Sequence, residues 1–151
     1  MTIQTDDLTG ADVRALLAEH LANLYAVSPP ESVHALDLSG LQRPDVTFWT
    51  VRDGDALLGC GALRELSPTH GEVKSMRTAE AHRQRGVGSA VLRHIVAEAR
   101  ARGYERLSLE TGAMPFFEPA RRLYLGFGFE PCPPFADYTD DTNSVCMTRP
   151  L

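Results

Sequence analysis

Residues 83–89 read Arg83-Gln84-Arg85-Gly86-Val87-Gly88-Ser89, and the rest of the chain is best interpreted outward from them. The segment follows a strand-like run and precedes a run with helical periodicity, so it forms the turn from a strand into a helix. The first N–H groups of a helix lack partners within the helix, and the helix dipole favours negative charge there. Because glycine also lets a ligand approach the backbone, the turn is predicted to bind an anionic, phosphate-bearing group, specifically a pyrophosphate.

The run after this turn has the period of an amphipathic helix, about 3.6 residues. Its apolar face is formed by Val87, Val91, Leu92, Ile95, Val96 and Ala99. Gly103 is placed to follow the last helical residue, and Glu105–Thr111 then alternates as a strand does. A strand–helix–strand unit of this kind implies a parallel pair of strands joined by a right-handed crossover.

The remaining chain reads as mixed α+β, with a largely antiparallel central sheet, one parallel crossover and flanking helices. Before the turn, the patterns predict a strand (3–8), a helix capped by Thr9 and ended by Ser28-Pro29-Pro30, a short helix (31–38), a loop (39–45) and a three-strand meander (46–52, 56–66 and 72–78). After it, they predict a short helix with Pro119 at its first position and strands at 129–134 and 144–148. Gly59 and Gly61 share one strand face, which indicates close packing there.

Composition limits the classes of protein to consider. A chain of 151 residues is expected to form one domain, residues 1–151. Its net charge of −5 argues against a nucleic-acid binder and leaves room for a cationic or amine-bearing substrate. Cys60, Cys132 and Cys146 have no spacing typical of a disulfide framework or a metal site, so a reducing cytoplasm is expected. The N-terminus lacks the pattern of a signal peptide, and no apolar run approaches the roughly 18 residues of a membrane span.

Other glycine-rich phosphate motifs fit the turn less well. A P-loop requires Lys and then Ser or Thr after its second glycine, which this segment lacks. A dinucleotide fingerprint requires a small residue three positions after Gly88, where Val91 stands. A surface turn with two solvated arginines is the non-functional alternative.

Arg83-x-x-Gly86-x-Gly88 after a strand resembles the acetyl-CoA signature of the GNAT superfamily of N-acetyltransferases. Residues 72–78 look like the fourth strand of that family, and residues 120–129 look like its late helix and the following turn. The resemblance implies the GNAT fold, with the turn holding the pyrophosphate of acetyl-CoA and the fourth strand pairing through its backbone with the pantetheine arm. The residues implied in binding are Met76, Arg77, Thr78, Arg83, Gln84, Arg85, Gly86, Val87, Gly88 and Ser89.

Two residues are candidates for moving protons. Strict alternation along the fourth strand places Glu72 on the same face as Met76, where the family often has a glutamate base. The alternatives are a solvent-facing or Lys74-paired carboxylate, with water as the base. Tyr124 shares a helix face with Phe117 and matches a position where the family commonly has a tyrosine near the thioester sulfur. Its alternative is a core tyrosine.

The resemblance implies an acetyl-CoA-dependent N-acetyltransferase that acts on the primary amine of a small molecule, without a metal. Direct transfer is expected because no credible nucleophile is in place. The alternatives are a non-catalytic acyl-CoA-binding or sensor module and a protein N-acetyltransferase. Dimers are frequent in the family, which leaves a homodimer open. An aromatic and acidic loop borders the expected acceptor site, and its members are Phe135, Asp137, Tyr138, Asp140 and Asp141.

Overall fold

A computed structural model describes residues 1–151, which form one seven-stranded sheet with helices on both faces. The strands are β1 (Thr2–Thr5), β2 (Val46–Asp53), β3 (Ala56–Ser67), β4 (His70–Thr78), β5 (Arg106–Gly112), β6 (Glu130–Cys132) and β7 (Ser144–Pro150). The helices are α1 (Ala11–Val27), α2 (Leu38–Leu41), α3 (Val87–Ala101) and α4 (Glu118–Gly126).

The sheet has the order β1-β2-β3-β4-β5-β7-β6. Every neighbouring pair is antiparallel except β4 and β5, which are parallel and are joined through α3. The predicted fold class is therefore confirmed, including the meander and the single parallel crossover. The crossover places the N-terminus of α3 beside the end of β4, where a Cβ at Gly88 would lie 4.0 Å from Thr78 Oγ1, and this is where the phosphate turn was predicted.

Helix α3 packs closely on the sheet through β3. All six residues predicted for its apolar face are buried, at 5% exposure or less. A Cβ atom at Gly59 would lie 2.8 Å from Val87 Cγ1, and one at Gly61 would lie 3.0 Å from Val91 Cγ2. No real side chain tolerates the first distance, so the predicted close packing at the two glycines is confirmed and fixes the position of the helix N-terminus.

The opposite face of the sheet is covered by α1 and α2. Their apolar residues form a second buried cluster with the strands, whose members are Leu8, Val13, Leu16, Leu17, Leu41, Phe48, Cys60 and Ala62. Arg77 of β4 also lies on this face, where its guanidinium donates to Glu19 Oε1 of α1 at 2.6 Å. The α3 face is therefore packed by apolar contacts, and the α1 face combines apolar contacts with the Arg77–Glu19 ion pair. Both faces contribute residues to the candidate site.

Local hydrogen bonds explain where the first predicted boundaries were wrong. Strand β1 ends at Thr5 because Asp6 Oδ1 accepts from the Leu8 N–H and turns the chain. Thr9 does not cap α1, since its hydroxyl donates to Asp7 Oδ1 at 2.6 Å; Gly10 is the N-cap.

The predicted helix over 31–38 is absent. A short 3-10 turn covers Pro30–Ser32, and α2 begins instead at Leu38, because Asp37 Oδ1 caps it through the Gly40 N–H at 2.8 Å. Part of the predicted loop over 39–45 is therefore helical. Both of these helical differences lie in the chain that connects α1 to β2.

Candidate active site

The parallel strands at the centre of the sheet separate. β4 and β5 pair over only three positions, the last of which is Glu72 opposite Ser108. β4 nevertheless continues to Thr78 and β5 to Gly112, so a gap opens between them. The edge of β4 that faces this gap is free to form backbone hydrogen bonds with an extended ligand.

A bulge at Ser75 shapes the free edge of β4. Lys74 lies opposite Ala62 and Arg77 opposite Cys60, so three steps along β4 match two along β3. Ser75 has φ of 54°, which lies in the left-handed region that L-residues rarely adopt. The extra residue bends the strand away from β5 and reverses the alternation of side chains beyond it.

This reversal corrects one expectation. Met76 faces α3, because its Sδ would lie 2.9 Å from a Cβ at Gly61. Glu72 lies on the other face, where it contacts Tyr138. The two side chains therefore do not share a face, since a strict period of two does not survive a bulge.

The turn into α3 exposes backbone donors. Gln84 and Gly86 are both left-handed, with φ of 63° and 77°, and Gly86 is the N-cap of the helix. No side chain caps this end, so the N–H groups of Val87, Gly88 and Ser89 point out of the helix without partners. Consecutive N–H groups at a helix N-terminus form a concave site for an anion.

A cavity of about 680 Å³ connects this turn to the gap between the strands and continues to the face covered by α1. Eleven of the twelve residues predicted for the site line it: Glu72, Met76, Arg77, Thr78, Arg83, Gln84, Gly86, Val87, Gly88, Ser89 and Tyr124. Arg85 does not. Its guanidinium lies 2.9 Å from His82 Nδ1 and 3.6 Å from Asp53 Oδ2, outside the cavity.

Tyr124 closes the cavity on the α4 side. It is 6% exposed, packs edge-on against Phe129 and lines the cavity together with Phe117 and Ala120. Burial, with a further contribution from the charge of Glu110, raises the pKa of Tyr124 above its ordinary value. The phenol is therefore protonated near neutral pH, as a tyrosine of ordinary pKa also is, and it lines the cavity as a hydrogen-bond donor.

Glu72 belongs to a closed polar cluster on the α1 side. Its Oε2 accepts from the Tyr138 hydroxyl at 2.5 Å and lies 3.5 Å from Lys74 Nζ. Lys74 also donates to the Tyr138 oxygen at 2.9 Å and to the His34 carbonyl at 3.3 Å. The Lys74-paired arrangement considered for Glu72 is therefore the one observed, and both side chains are nearly inaccessible to solvent.

The aromatic and acidic loop folds over this cluster. The Tyr138 ring contacts the rings of His34 and Phe135, with centroids 5.1 and 5.0 Å away. Asp141 accepts from the Ser32 hydroxyl at 2.6 Å, which ties the loop to the chain after α1. The loop thus packs behind residues that line the cavity, such as Ser32 and His34, and the Asp141 carboxylate is already used in holding it there.

Glu110 was not among the predicted site residues. It lies in β5, lines the cavity and is half-buried. Burial raises its pKa above the ordinary value of a glutamate. Alternation along β5 could have identified it. Leu107 and Leu109 are fully buried on one face of the strand, so Ser108 and Glu110 lie together on the opposite face.

The structure shows neither a reactive cysteine in the site nor a cluster of side chains that could bind a metal ion. Cys60 is fully buried, and burial raises its pKa to about 12. No three His, Cys, Asp or Glu side chains are grouped so that they could hold a metal ion. No helix has the length and apolar character required to cross a membrane.

A splayed sheet with an uncapped helix N-terminus beside the gap is the architecture of an acyl-CoA-dependent N-acyltransferase. Over residues 13–129 the chain matches the Acetyltransferase (GNAT) family, and it belongs to that family. Its activity is that of an N-acetyltransferase, as the names of its relatives also indicate.

Three of these relatives come from bacteria. The uncharacterized N-acetyltransferase YsnE of Bacillus subtilis is 58% identical over 151 residues, which is 100% of both chains. The uncharacterized N-acetyltransferase YedL of Escherichia coli is 52% identical over 99% of this chain and 94% of its own length. The IAA acetyltransferase of Azospirillum brasilense is 38% identical over 89% of this chain and 86% of its own.

Solved structures share the fold over nearly the whole chain. A presumed acyl-CoA N-acyltransferase from Klebsiella pneumoniae has a TM-score of 0.79 and 29% identity, covering 99% of this chain and 97% of that one. A GNAT family acetyltransferase from Elizabethkingia anophelis, crystallised with acetyl-CoA bound, has a TM-score of 0.69 and 17% identity over the same shares of the two chains.

Proposed function

We propose that this protein transfers the acetyl group of acetyl-CoA directly to the primary amine of a small molecule. The observation that carries the proposal is the continuous cavity. It joins an anion-binding helix N-terminus, the free edge of β4 and two carboxylates on the far side of the sheet. Those are the parts that a ternary complex of thioester and amine requires.

The donor end of the cavity fits a pyrophosphate. The N–H groups of Val87, Gly88 and Ser89 are the donors, and Arg83 adds a positive charge at the mouth. A Cβ at Gly88 would lie 3.1 Å from Leu123 Cδ2, so a side chain there would narrow the cavity. These features support acetyl-CoA as the acyl donor.

The free edge of β4 fits an extended pantetheine arm. Beyond the bulge, the backbone of Met76, Arg77 and Thr78 faces the gap and can pair with the amides of the arm as a further strand would. An N–H group of this edge would then donate to the thioester oxygen. That donor would stabilise the negative charge that develops when the amine attacks.

Two protons must move for the reaction to proceed. The ammonium form of the acceptor must lose one before attack, and the leaving thiolate of CoA must gain one. Tyr124 is proposed to supply the proton to sulfur, because it is buried, protonated and lines the cavity. A carboxylate of the cavity is proposed to remove the proton from the amine; Glu72, the base predicted from the sequence, and Glu110 are the two carboxylates that line it.

Direct transfer is proposed over an acyl-enzyme. Cys60, a buried cysteine of β3, is not among the cavity-lining residues, and its raised pKa keeps the thiol protonated. The reaction then needs only the two substrates bound together, so intersecting initial-rate lines are expected rather than the parallel lines of a ping-pong mechanism.

A CoA-release assay with a panel of primary amines tests this function, and IAA, which the name of one relative contains, is assayed beside the panel as an acceptor without a primary amine. We expect acetyl-CoA to bind by calorimetry and CoA release to depend on a primary amine, with the N-acetylated product identified by mass spectrometry. Binding without release for every acceptor would favour a sensor module. Acetylation of peptides but of no small amine would favour a protein acetyltransferase.

A further inference from the structure

Glu110 lies where the two central strands part. β4 and β5 stop pairing at Glu72 and Ser108, and Glu110 is the next residue of β5 on the same face as Ser108. It is therefore the first carboxylate beyond the fork, and it lines the same cavity as Tyr124. A group in this position faces the passage between the donor half and the α1 side of the cavity.

The two carboxylates of the cavity differ in their partners. Glu72 is 1% exposed and is bound by the Tyr138 hydroxyl and the Lys74 ammonium. Using Glu72 as a base would require these contacts to rearrange. Glu110 forms no ion pair with Lys or Arg, so its charge remains available to a cationic ligand.

We propose that Glu110 receives the ammonium group of the acceptor and removes its proton; this inference rests on the proposed function. The Glu110 carboxylate takes one proton from R–NH₃⁺, and the nitrogen lone pair then attacks the thioester carbon. A C–N bond forms and the C–S bond breaks; the nitrogen releases a second proton to solvent and becomes the amide nitrogen, and the leaving thiolate takes a proton from Tyr124. Glu110 returns its proton to solvent, and Tyr124 regains one, so the cycle closes.

The surroundings of Glu110 suit this role. Burial is the main cause of its raised pKa, which brings its basicity closer to neutral pH, where proton transfer from an amine is more favourable. Ser144 of β7 opposes this rise in pKa by stabilising the charged carboxylate, and the titratable side chains that interact with Glu110 are His34, Glu72, Lys74, Tyr124, Tyr138 and Cys146. Of these, Lys74 is already paired with Glu72.

The test compares pH–rate profiles of Glu110→Gln, Glu72→Gln and the wild type. We expect Glu110→Gln to lower kcat/KM by at least about 100-fold near pH 7. Its activity should then rise with pH up to the pKa of the acceptor amine, because only the neutral amine reacts. Glu72→Gln should keep the acidic limb of the wild type, although its kcat can fall as the loop loosens.

Further variants and measurements make the outcome decisive. Glu105→Gln, an exposed glutamate just before β5, should behave as the wild type. Glu110→Asp should recover part of the lost rate, and acetyl-CoA affinity and melting temperature should show that Glu110→Gln is folded. In carboxyl ¹³C spectra, the resonance lost in Glu110→Gln should titrate with the acidic limb.

A wild-type profile for Glu110→Gln, an acidic limb lost instead in Glu72→Gln, or a Glu110 resonance that titrates outside the limb would overturn the assignment. If the wild type turns over normally, any of these results contradicts only the assignment of Glu110 as the base and leaves the proposed function standing. A wild type that releases no CoA with any amine contradicts the proposed function itself.

Discussion

Tyr124 is the residue whose environment most clearly supports a catalytic role. It is buried and protonated, and it faces the cavity. We expect Tyr124→Phe to lower kcat about 10- to 100-fold, while acetyl-CoA affinity stays nearly unchanged, because only the proton donor is removed. Tyr25→Phe, at an exposed tyrosine of α1, is the matched control. An unchanged kcat would return Tyr124 to the role of a core residue.

Ser75 shows how the site is maintained at a cost in stability. Its φ of 54° is unfavourable for any residue with a Cβ, and its hydroxyl is buried without a partner. We expect Ser75→Gly to be more stable than Ser75→Ala by about 1 kcal/mol in chemical denaturation, because both lose the hydroxyl and only glycine relieves the backbone. A Ser75→Ala protein as stable as Ser75→Gly would show that the bulge is unstrained.

At the residue scale, the sequence predicted which residues lie near the site better than it predicted the strand face on which each side chain lies. Residue spacing gave Tyr124 its helix face and Glu72 its strand. It could not reveal the bulge at Ser75, because no residue there demands a left-handed backbone as glycine would. The face of Met76 relative to Glu72 depends on that bulge, and the place of Glu110 in the gap depends on the parting of β4 from β5. They therefore required the three-dimensional structure.

The turn into α3 contains two arginines with different surroundings. This difference tests whether the turn binds CoA through the arginine that lines the cavity. Arg83 lines the cavity, whereas Arg85 is turned toward Asp53. We expect Arg83→Ala to weaken CoA binding about tenfold, the effect of one lost charge-assisted contact, or about 1.4 kcal/mol. Arg85→Ala should change it little. Calorimetry at low and high salt measures both, and equal losses would contradict this division.

Elements were predictable where periodicity was strong and few alternatives competed. The apolar face of α3 was identified residue by residue, because six apolar positions at helical spacing have one way to be buried. The segment between α1 and β2 was not, because its structure follows from single side-chain caps such as Asp37 on Gly40. Such a bond stabilises a helix as short as α2, which carries too little periodicity to be detected.

The charge distribution of the whole cavity predicts which acceptors are used. Lys74 and Arg77 are paired with Glu72 and Glu19, so no free cation remains on the α1 side to bind a carboxylate. Glu110 leaves that side attractive to a cation. We expect amines to be better acceptors than the matching amino acids, with kcat/KM at least about tenfold higher for tryptamine than for tryptophan. A preference for the amino acid would contradict this charge assignment.

At the scale of the molecule, the sequence predicted the family and the sheet because both depend on residues 72–130, where the motif and the periodicity coincide. It did not define the acceptor end. That end is lined by α1 and the chain after it, with the loop around Tyr138 packed behind them, and these segments meet only in the folded protein.

A crystal structure with CoA bound tests the central claim most directly. We predict that the pyrophosphate contacts the N–H groups of residues 87–89, that the pantetheine arm pairs with residues 76–78, and that the sulfur lies in the gap within hydrogen-bond reach of the Tyr124 hydroxyl. CoA bound outside the gap, or with its sulfur directed away from both Tyr124 and Glu110, would contradict the account.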